Sequence, residues 1–324
     1  MMSMNFKDDV EAIDSLKEVY ASLKQEIHKK IIGQNAIIDD VLISIFSKGH
    51  CLLVGVPGLA KTLLVTSMAQ VLGLKNNRIQ FTPDLMPSDI TGSEILNGDR
   101  QFQFIQGPIF TNFLLADEIN RTPPKTQAAL LEAMQEHAVT VAGRRYTLKE
   151  PFFVLATQNP IEQEGTYPLP EAQLDRFMFN VTLTYPSVDE EMEIVKTTTG
   201  GVEQTLQPIL SADEIILYQQ TIRKMPVNES VVRYAVELVA KTRKETTTNN
   251  YAKEYLSWGA GPRASQYLII GAKAHAAMQG KYSPDMEDVR AVALPILRHR
   301  LVKNYKAEAD GIDIDDIILK LLNE

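Results

Sequence analysis

The stretch CLLVGVPGLAKT, residues 51–62, decides the fold, and the run LLVTSMAQVLGL at 63–74 follows it. The apolar start predicts a short buried strand, the glycines and proline predict a loop, and the apolar spacing after Lys61 predicts a helix. Strand, loop and helix in this order are typical of a phosphate-binding loop, because backbone N–H groups and a helix N-terminus then face the anion. The alternative is an ordinary strand-to-helix turn that contains a lysine by chance.

In the first interpretation this loop supplies most of a nucleotide site. Lys61 would meet the charge of the β- and γ-phosphates, and the Thr62 hydroxyl would ligate Mg²⁺. The loop departs from the general pattern GxxxxGK[ST] at Ala60. We expect helical backbone angles at this residue, since glycine is required only where φ is positive. The residues expected to contact the nucleotide here are Gly55, Val56, Pro57, Gly58, Leu59, Ala60, Lys61, Thr62 and Leu63.

Two acids end a second apolar run, NFLLADE at 112–118. Open α/β sheets bind ligands at the carboxyl ends of their strands. We therefore expect Asp117 to hold Mg²⁺ through water and Glu118 to orient or deprotonate an attacking water. Taken alone, the pair would more simply be a solvated strand end, and the loop upstream changes that balance.

Asn159 follows a third apolar run, FFVLAT at 152–157. Its amide could help to position the water between Glu118 and the γ-phosphate. Because a proline follows it, an ordinary Asn-Pro turn explains the residue equally well.

The apolar runs predict the architecture of the whole chain. Short runs at 51–55, 78–81, 112–116, 152–156 and 177–183 alternate with helical or loop segments, which favours an α/β fold with a parallel sheet wrapped by helices. An amphipathic helix is predicted within 7–30. After Pro186 the pattern is helical, so we predict a core domain at 1–186 and an all-helical domain at 187–324. The helical segments of the second domain are predicted at 189–199, 213–225, 228–246, 263–279, 284–303 and 313–323.

Two prolines indicate where helices of the second domain begin. Pro262 suits the first turn of one helix, and Ser283 with Pro284 is expected to be the N-cap and first turn of another.

Composition excludes several other classes of protein. The 324 residues carry a net charge of −8, which gives no sign of a surface built to neutralise nucleic-acid phosphates. One cysteine can form no internal disulfide, and the five histidines form no HExxH or Cys/His cluster for a transition metal. The N-terminus has no apolar signal core, so we expect a cytoplasmic protein.

The motifs GVPGLAKT, LLADEINR, ATQNP, LPEAQLDRF and GPRAS occur in this order over nearly the whole chain. Together they resemble the MoxR branch of the AAA+ ATPases, whose members tend to carry alanine at the position of Ala60. The resemblance implies a P-loop AAA+ core, a C-terminal helical lid, ATP and Mg²⁺ as cofactors, and ATP hydrolysis. It also implies a homo-oligomeric ring, with six subunits expected, that remodels, assembles or activates client proteins, and partners that carry a von Willebrand factor A domain.

The resemblance assigns roles that spacing alone does not. Ile32 and Gly33, within Ile31–Gln34, would cradle the adenine, although an ordinary helix-to-strand turn is the alternative. Arg176 in LDRF would be the finger that reaches the γ-phosphate of a neighbouring subunit, and Arg263 in GPRAS the second sensor arginine of the lid. From the sequence alone, Arg176 could equally pair with Asp175 or Glu171, and Arg263 could be a solvated residue of a first helical turn.

Two segments look like insertions of the family. Residues 82–110 are long for a connection in a compact domain, and residues 138–149 predict a hairpin that turns near Ala142 and Gly143. The resemblance implies that both lie near a central pore, where they could grip a client. The alternative is two surface excursions with no client.

Other functions stay open at this point. The same ATPase machinery drives nucleic-acid motors and loaders, which the acidic balance disfavours, and it also drives the motor subunit of magnesium chelatases. A small-molecule phosphotransferase fits poorly with a separate lid and two candidate arginines.

Overall fold

The computed structural model describes residues 6–98, 100–161, 165–200 and 204–323. A five-stranded parallel sheet forms the centre, with strand order β2-β5-β8-β1-β9. The strands within the described residues are β1 (Cys51–Val54), β2 (Asn76–Gln80), β3 (Gly92–Leu96), β4 (Phe102–Gln106), β5 (Phe113–Asp117), β6 (Ala138–Val141), β7 (Arg144–Thr147), β8 (Phe153–Gln158), β9 (Phe179–Thr182), β10 (Leu256–Trp258) and β11 (Val302–Lys303).

Helices cover both faces of this sheet and build the C-terminal part of the chain. Those in the described residues are α1 (Asp9–Ile27), α2 (Asn35–Phe46), α3 (Lys61–Val71), α4 (Pro87–Thr91), α5 (Pro124–Glu136), α6 (Glu171–Leu174), α7 (Val188–Thr199), α8 (Ala212–Lys224), α9 (Glu229–Lys241), α10 (Asn250–Tyr255), α11 (Pro262–Met278), α12 (Met286–Leu297), α13 (Tyr305–Ala309) and α14 (Ile314–Leu322). The predicted parallel sheet and helical lid are confirmed. A two-stranded pairing of β10 with β11 interrupts the otherwise helical C-terminal part.

The central strands are apolar without alternation because both faces of the sheet are buried. Leu53, Leu115 and Leu155 belong to one core, which continues through α1, α2 and α3 into the helices of the lid. Leu52 and Leu114 each directly precede one of these leucines in the strand. They belong to a second core formed with α4 and α5. Since side chains alternate across a strand, each strand contributes side chains to both cores. The first core therefore joins the lid firmly to the sheet.

The strand register defines two edges of the sheet, and each collects a different set of residues. Val54 pairs with Gln158, and Gln80 pairs with Asp117, so the carboxyl ends of four strands meet at one edge. We call this the carboxyl edge. At the opposite edge, the amino edge, Cys51 pairs with Leu155 and Phe179, and His50 immediately precedes β1.

Three helix boundaries in the lid differ from the prediction. The helix predicted from residue 284 begins at Met286, because the Asp285 side chain accepts hydrogen bonds from the N–H groups of Glu287 and Asp288. Ser283 is therefore not the N-cap, and a carboxylate performs that role. The same helix ends at Leu297 and α9 ends at Lys241, several residues earlier than predicted. Pro262 does occupy the first turn of α11.

None of the helices in the described part of the chain is long and apolar enough to cross a membrane.

Candidate active site

The phosphate-binding loop connects β1 to α3 at the carboxyl edge. Its geometry contradicts one expectation, because Ala60 has φ 53° and ψ 28°, in the left-handed region. The predicted helical angles at Ala60 are therefore wrong. An alanine in this region is strained, since its Cβ crowds the following carbonyl group. Gly58 also has a positive φ, of 88°.

Lys61 begins α3 and is half-buried beneath the loop. Its ammonium group donates a hydrogen bond to the carbonyl oxygen of Gly55. Burial lowers the pKa of Lys61, while the nearby carboxylates of Asp117 and Glu118 act in the opposite direction. A half-buried cation beside free N-terminal amides of a helix suits a polyphosphate.

Asp117 is the last residue of β5 and is buried between two partners. Arg78 of β2 donates through both Nε, at 3.1 Å, and a terminal nitrogen, at 2.7 Å, to one carboxylate oxygen, Oδ2. The other oxygen, Oδ1, accepts the hydroxyl of Thr157 at 2.6 Å. Because each carboxylate oxygen has two acceptor positions, Oδ1 keeps one.

These donors fit Mg²⁺. The Thr62 hydroxyl and the remaining acceptor of Asp117 are hard oxygen groups, and Mg²⁺ in nucleotide sites keeps several waters and few protein ligands. One free carboxylate position suits a hydrogen bond from a metal-bound water better than a direct bond. The water-mediated role of Asp117 stays a prediction.

Glu118 follows β5 in a left-handed conformation, with φ 58°. Its backbone N–H donates to the Thr157 hydroxyl oxygen at 2.9 Å, so Thr157 joins both acids. Its carboxylate accepts hydrogen bonds from Gln80 at 2.8 Å and from Arg121 at 3.2 Å. Glu118 is therefore held at the edge by side chains of two neighbouring strands and of the turn that follows.

Sequence reasoning missed the partners of these acids. Arg78 and Gln80 lie on β2, two residues apart, and Thr157 lies on β8 just before the predicted amide. Thr157 is a polar residue near the carboxyl end of an apolar strand, which is a signal that could have found it, whereas β2 is mostly polar and gives no such signal for Arg78 and Gln80.

Asn159 is buried directly after β8. Its side-chain oxygen accepts the N–H of Ile161 at 3.1 Å, so the residue does form a local Asx-type turn. This turn uses the oxygen of the amide and leaves the Nδ2 group for another acceptor. Both interpretations of Asn159 are therefore compatible with the geometry.

The segment predicted to cradle the adenine lies between α1 and α2. Gly33 has φ 66°, and a Cβ built on it would collide with the Glu190 carboxylate of α7. Ile32 beside it is partly exposed. The start of the lid thus packs against the residues expected to bind the base.

The two candidate arginines lie elsewhere. Arg176 and Arg263 line one cavity of about 180 Å³ at the amino edge, together with Lys48, His50, Met134, Gln135, His137 and Tyr267. None of the loop residues 55–63 lines this cavity. The structure brings the two arginines together and does not bring them to the loop of their own chain.

Neither arginine has the surroundings that its alternative interpretation predicted: an ion pair with Asp175 or Glu171 for Arg176, and solvent alone for Arg263. Arg263 pairs with Asp175 at 2.9 Å, so it is not merely solvated. Asp175 also pairs with Arg300 at 2.7 Å, and within the described ranges no carboxylate lies within ion-pair distance of Arg176. Arg176 therefore remains available to another charged group.

Arg300, three residues after α12 ends, fixes the segment that carries Arg176. Its side chain is only 2% exposed. Besides the Asp175 carboxylate, it donates to the backbone carbonyls of Asp175 at 3.0 Å, Phe177 at 2.6 Å and Met178 at 3.2 Å. His299 also lies 3.0 Å from the Phe177 carbonyl, and the Tyr267 hydroxyl lies 3.4 Å from that of Arg176. Four consecutive carbonyls of this segment are thus held by the lid.

One histidine that lines the cavity, His50, is neutral. Burial lowers the pKa of His50 to about 4. Its Nδ1 accepts the N–H of Val154 and its Nε2 lies 3.2 Å from the Met134 carbonyl, which fixes one neutral tautomer. Burial alone would raise the pKa of Glu150 nearby, but His137 and Lys48 hold it at about 2.

The two predicted excursions form β-hairpins that contact each other. Residues 92–106 contain β3 paired with β4, and residues 138–147 contain β6 paired with β7, which turns at Ala142 and Gly143 as predicted. Phe104 stacks on Tyr146 with ring centroids 4.0 Å apart. Exposed apolar side chains remain on the first hairpin: Ile95, Leu96, Phe102 and Ile105.

Fold and site together define a P-loop AAA+ ATPase with a helical lid. The model of the ATPase family associated with various cellular activities (AAA) matches residues 50–179, and the AAA lid domain model matches residues 249–321.

Comparisons with individual proteins narrow this class. The chain is 45% identical over 299 residues to Chaperone MoxR1 of Mycobacterium tuberculosis, covering 92% of this chain and 79% of that protein. It is 39% identical over 312 residues to the protein YeaC of Bacillus subtilis, covering 96% and 95% of the two chains. A crystal structure from Cytophaga hutchinsonii superposes with a TM-score of 0.89 at 43% identity, covering 97% and 96%. The chain belongs to the MoxR family of AAA+ ATPases, and it hydrolyses ATP.

Proposed function

We propose that this ATPase works as a ring, that two arginines of one subunit complete the nucleotide site of the next, and that the ring remodels client proteins. One observation carries the first part: Arg176 and Arg263 share a cavity at the amino edge, while the phosphate-binding loop lies at the carboxyl edge. β1 separates the two edges and has four residues, a length of about 13 Å. An arginine side chain is too short to cross that distance.

Each residue then has a defined task. Lys61 and the amides of the loop would bind the phosphates, and Thr62 and Asp117 would hold the metal ion. Glu118 accepts a proton from the attacking water or orients it, and the amide of Asn159 helps to position that water. Mg²⁺, when bound, would neutralise charge on the β- and γ-phosphates.

The neighbouring subunit supplies the missing charge. A guanidinium group placed at the γ-phosphate stabilises the charge of the transition state, and such arginines contribute roughly 10³–10⁵ in rate. Arg176 is suited to this task because no carboxylate of the described chain neutralises it. A lone subunit should therefore bind ATP and hydrolyse it very slowly.

The first experiment measures ATP hydrolysis per subunit over a wide range of protein concentration, with Arg176→Ala run in parallel. A rate that rises with concentration and vanishes in Arg176→Ala supports sites shared between subunits. A flat rate that Arg176→Ala leaves unchanged would overturn the shared-site mechanism.

The second part of the proposal concerns the client. The exposed apolar side chains of the β3–β4 hairpin, beside Arg144 and Arg145 of the second hairpin, suit an extended polypeptide with apolar and acidic residues. The relative from Mycobacterium tuberculosis is named a chaperone. The resemblance alone adds proteins with a von Willebrand factor A domain as partners, and a ring of six subunits.

Client binding is tested with a reduced, carboxymethylated polypeptide that cannot refold. We expect it to stimulate ATP turnover of the parent protein. The double variant Leu96→Ser, Phe102→Ser should keep the basal rate and lose the stimulation. Equal stimulation of both proteins would remove the hairpin from the client-binding surface.

A further inference from the structure

Helix α7 lies on the surface with an apolar face that the described part of its own subunit leaves uncovered. None of its residues is buried, and Val188, Met192 and Val195 are 75%, 53% and 53% exposed. The spacing of four and three residues puts these side chains on one stripe of the helix. Glu190 and Ile194 are less exposed and lie on the opposite side, where Glu190 packs against Gly33. The apolar stripe therefore faces away from the subunit.

The surface of α7 around the stripe is acidic overall. Glu191 is exposed on one border of the stripe, Asp189 is exposed beyond Lys196 on the other, and the helix carries four carboxylates against one lysine, a net charge of −3. A partner surface should therefore be an apolar groove with a cationic rim.

The same molecule offers such a surface at the amino edge. A groove of about 840 Å³ lies between the core and the lid. Its apolar lining comes from α9 and α11, and the charged side chains among the described residues that line it are basic, with Lys48 already paired to Glu150 at 3.1 Å. The apolar residues are Val232, Val236, Ile269 and Ile270, and the cationic residues are Lys48, Arg223 and Lys273.

The groove is continuous with the arginine cavity. Lys48, His137 and Tyr267 line both spaces. On the other surface, α7 begins six residues after β9 ends, at the carboxyl edge, and touches the segment expected to bind adenine. Each subunit thus has one surface beside its own nucleotide site and a complementary surface beside its two arginines.

We propose that α7 of one subunit docks into the core–lid groove of a second copy of this chain. This inference rests on the proposed function, since it names the surfaces by which neighbours complete a shared site. The twelve residues of α7 span about 18 Å, enough to cross the groove and bring Arg176 and Arg263 towards the neighbouring nucleotide. Because the two surfaces differ, the contact is heterologous and can repeat around a ring.

The test uses exposed residues, so that the fold of the subunit is preserved. In Met192→Asp the stripe becomes charged, and in Glu191→Lys the acidic border is reversed. We expect each change to raise the protein concentration at half-maximal assembly by about tenfold, measured by analytical ultracentrifugation with ATP. Binding of a fluorescent ATP analogue to the dilute subunit should be unchanged. Leu319→Asp, an exposed apolar residue of α14, is the matched control and should assemble normally.

A charge exchange identifies the docking partner. Lys273→Glu in the groove should weaken assembly as Glu191→Lys does, and the double variant should recover most of the loss. If both single variants weaken assembly and the double variant does not recover, α7 contacts a different surface and the groove is wrong. If Met192→Asp and Glu191→Lys assemble normally but lose stimulation by the unfolded polypeptide, the stripe binds clients and the proposal fails.

The outcome is separable from the proposed function. Arg176→Ala should assemble at the parental concentration and lose turnover, whereas Met192→Asp should regain turnover at high protein concentration. Full turnover in Arg176→Ala would contradict the shared site itself. Normal assembly of all α7 variants would contradict only the proposed docking surfaces.

Discussion

The two edges of the central sheet are organised in different ways. At the carboxyl edge the acids are held by side chains of adjacent strands: Arg78 and Thr157 bind Asp117, and Gln80 binds Glu118. At the amino edge the segment of Arg176 is held by the lid, mainly through Arg300. Strand register therefore positions Asp117 and Glu118, while the packing of the lid on the sheet positions the segment of Arg176. The first edge should work within one subunit, and the second should respond to movement of the lid.

The largest expected effect is at the carboxyl edge. Lys61→Ala removes the cation that binds the phosphates, so ATP affinity should fall below detection. Glu118→Gln should bind ATP normally and hydrolyse it roughly 10²–10⁴-fold more slowly, because only the proton acceptor is lost. Binding is measured with a fluorescent nucleotide and turnover by phosphate release. Glu132→Gln, on the exposed side of α5, is the control. Parental turnover in Glu118→Gln would remove its assigned role.

The next prediction tests, by mixing two variants, whether the two edges meet between neighbouring subunits. Arg176→Ala and Glu118→Gln should each be inactive alone, because each variant lacks one of the two side chains that a shared site requires. Mixed in equal amounts, they should recover roughly a quarter of the parental rate, since half of the sites keep Glu118 and half of those face an intact Arg176. Lys61→Ala mixed with Glu118→Gln is the control and should stay inactive. Without recovery in the first mixture, the two edges do not meet between subunits.

A smaller effect is expected where the lid holds the finger. Arg300→Gln breaks the contacts to the carbonyls beside Arg176, so turnover should fall by about tenfold with ATP binding unchanged. Arg298→Gln is matched to it: this arginine lies on the same helix end and binds Asp315 and the Asn180 carbonyl, away from the finger segment.

Both variants will lose some stability, so stability is not the deciding measurement. Arg300→Gln should recover turnover when mixed with Glu118→Gln, as Arg176→Ala does, because its own nucleotide site is intact. Adding Arg300→Gln to Arg176→Ala should have no further effect. If Arg298→Gln shows the same loss and recovery, Arg300 has no special connection to the finger.

The sequence predicted the carboxyl edge better than the amino edge, for a physical reason. Asp117, Glu118 and Asn159 each follow an apolar strand, and parallel strands necessarily bring their ends together. Arg176 and Arg263 are 87 positions apart along the chain, and no local pattern places them in one cavity. Only the resemblance to a family suggested a role for either of them, and their common location emerged from the packing of the lid on the sheet.

The sequence patterns also did not predict one helix N-cap and the backbone angles of one loop residue. Asp285 replaced Ser283 as the N-cap because a carboxylate can accept two backbone N–H groups at once. At Ala60 the rule that alanine avoids positive φ predicted the wrong conformation. The loop geometry overrides the preference of one residue, which implies strain that a substitution can release.

This strain gives the smallest of the predicted effects. Ala60→Gly should stabilise the protein by about 0.5–1 kcal/mol, because relief of a left-handed alanine exceeds the added entropy of the unfolded glycine. The measurement is urea unfolding without nucleotide. Gly58→Ala, at φ 88° and with open space around the position, is the opposite change and should cost about 1–2 kcal/mol. If Ala60→Gly is neutral or destabilising while Gly58→Ala behaves as expected, Ala60 is not strained in solution. Turnover in Ala60→Gly should change little, since every group that binds or hydrolyses ATP at this edge is retained.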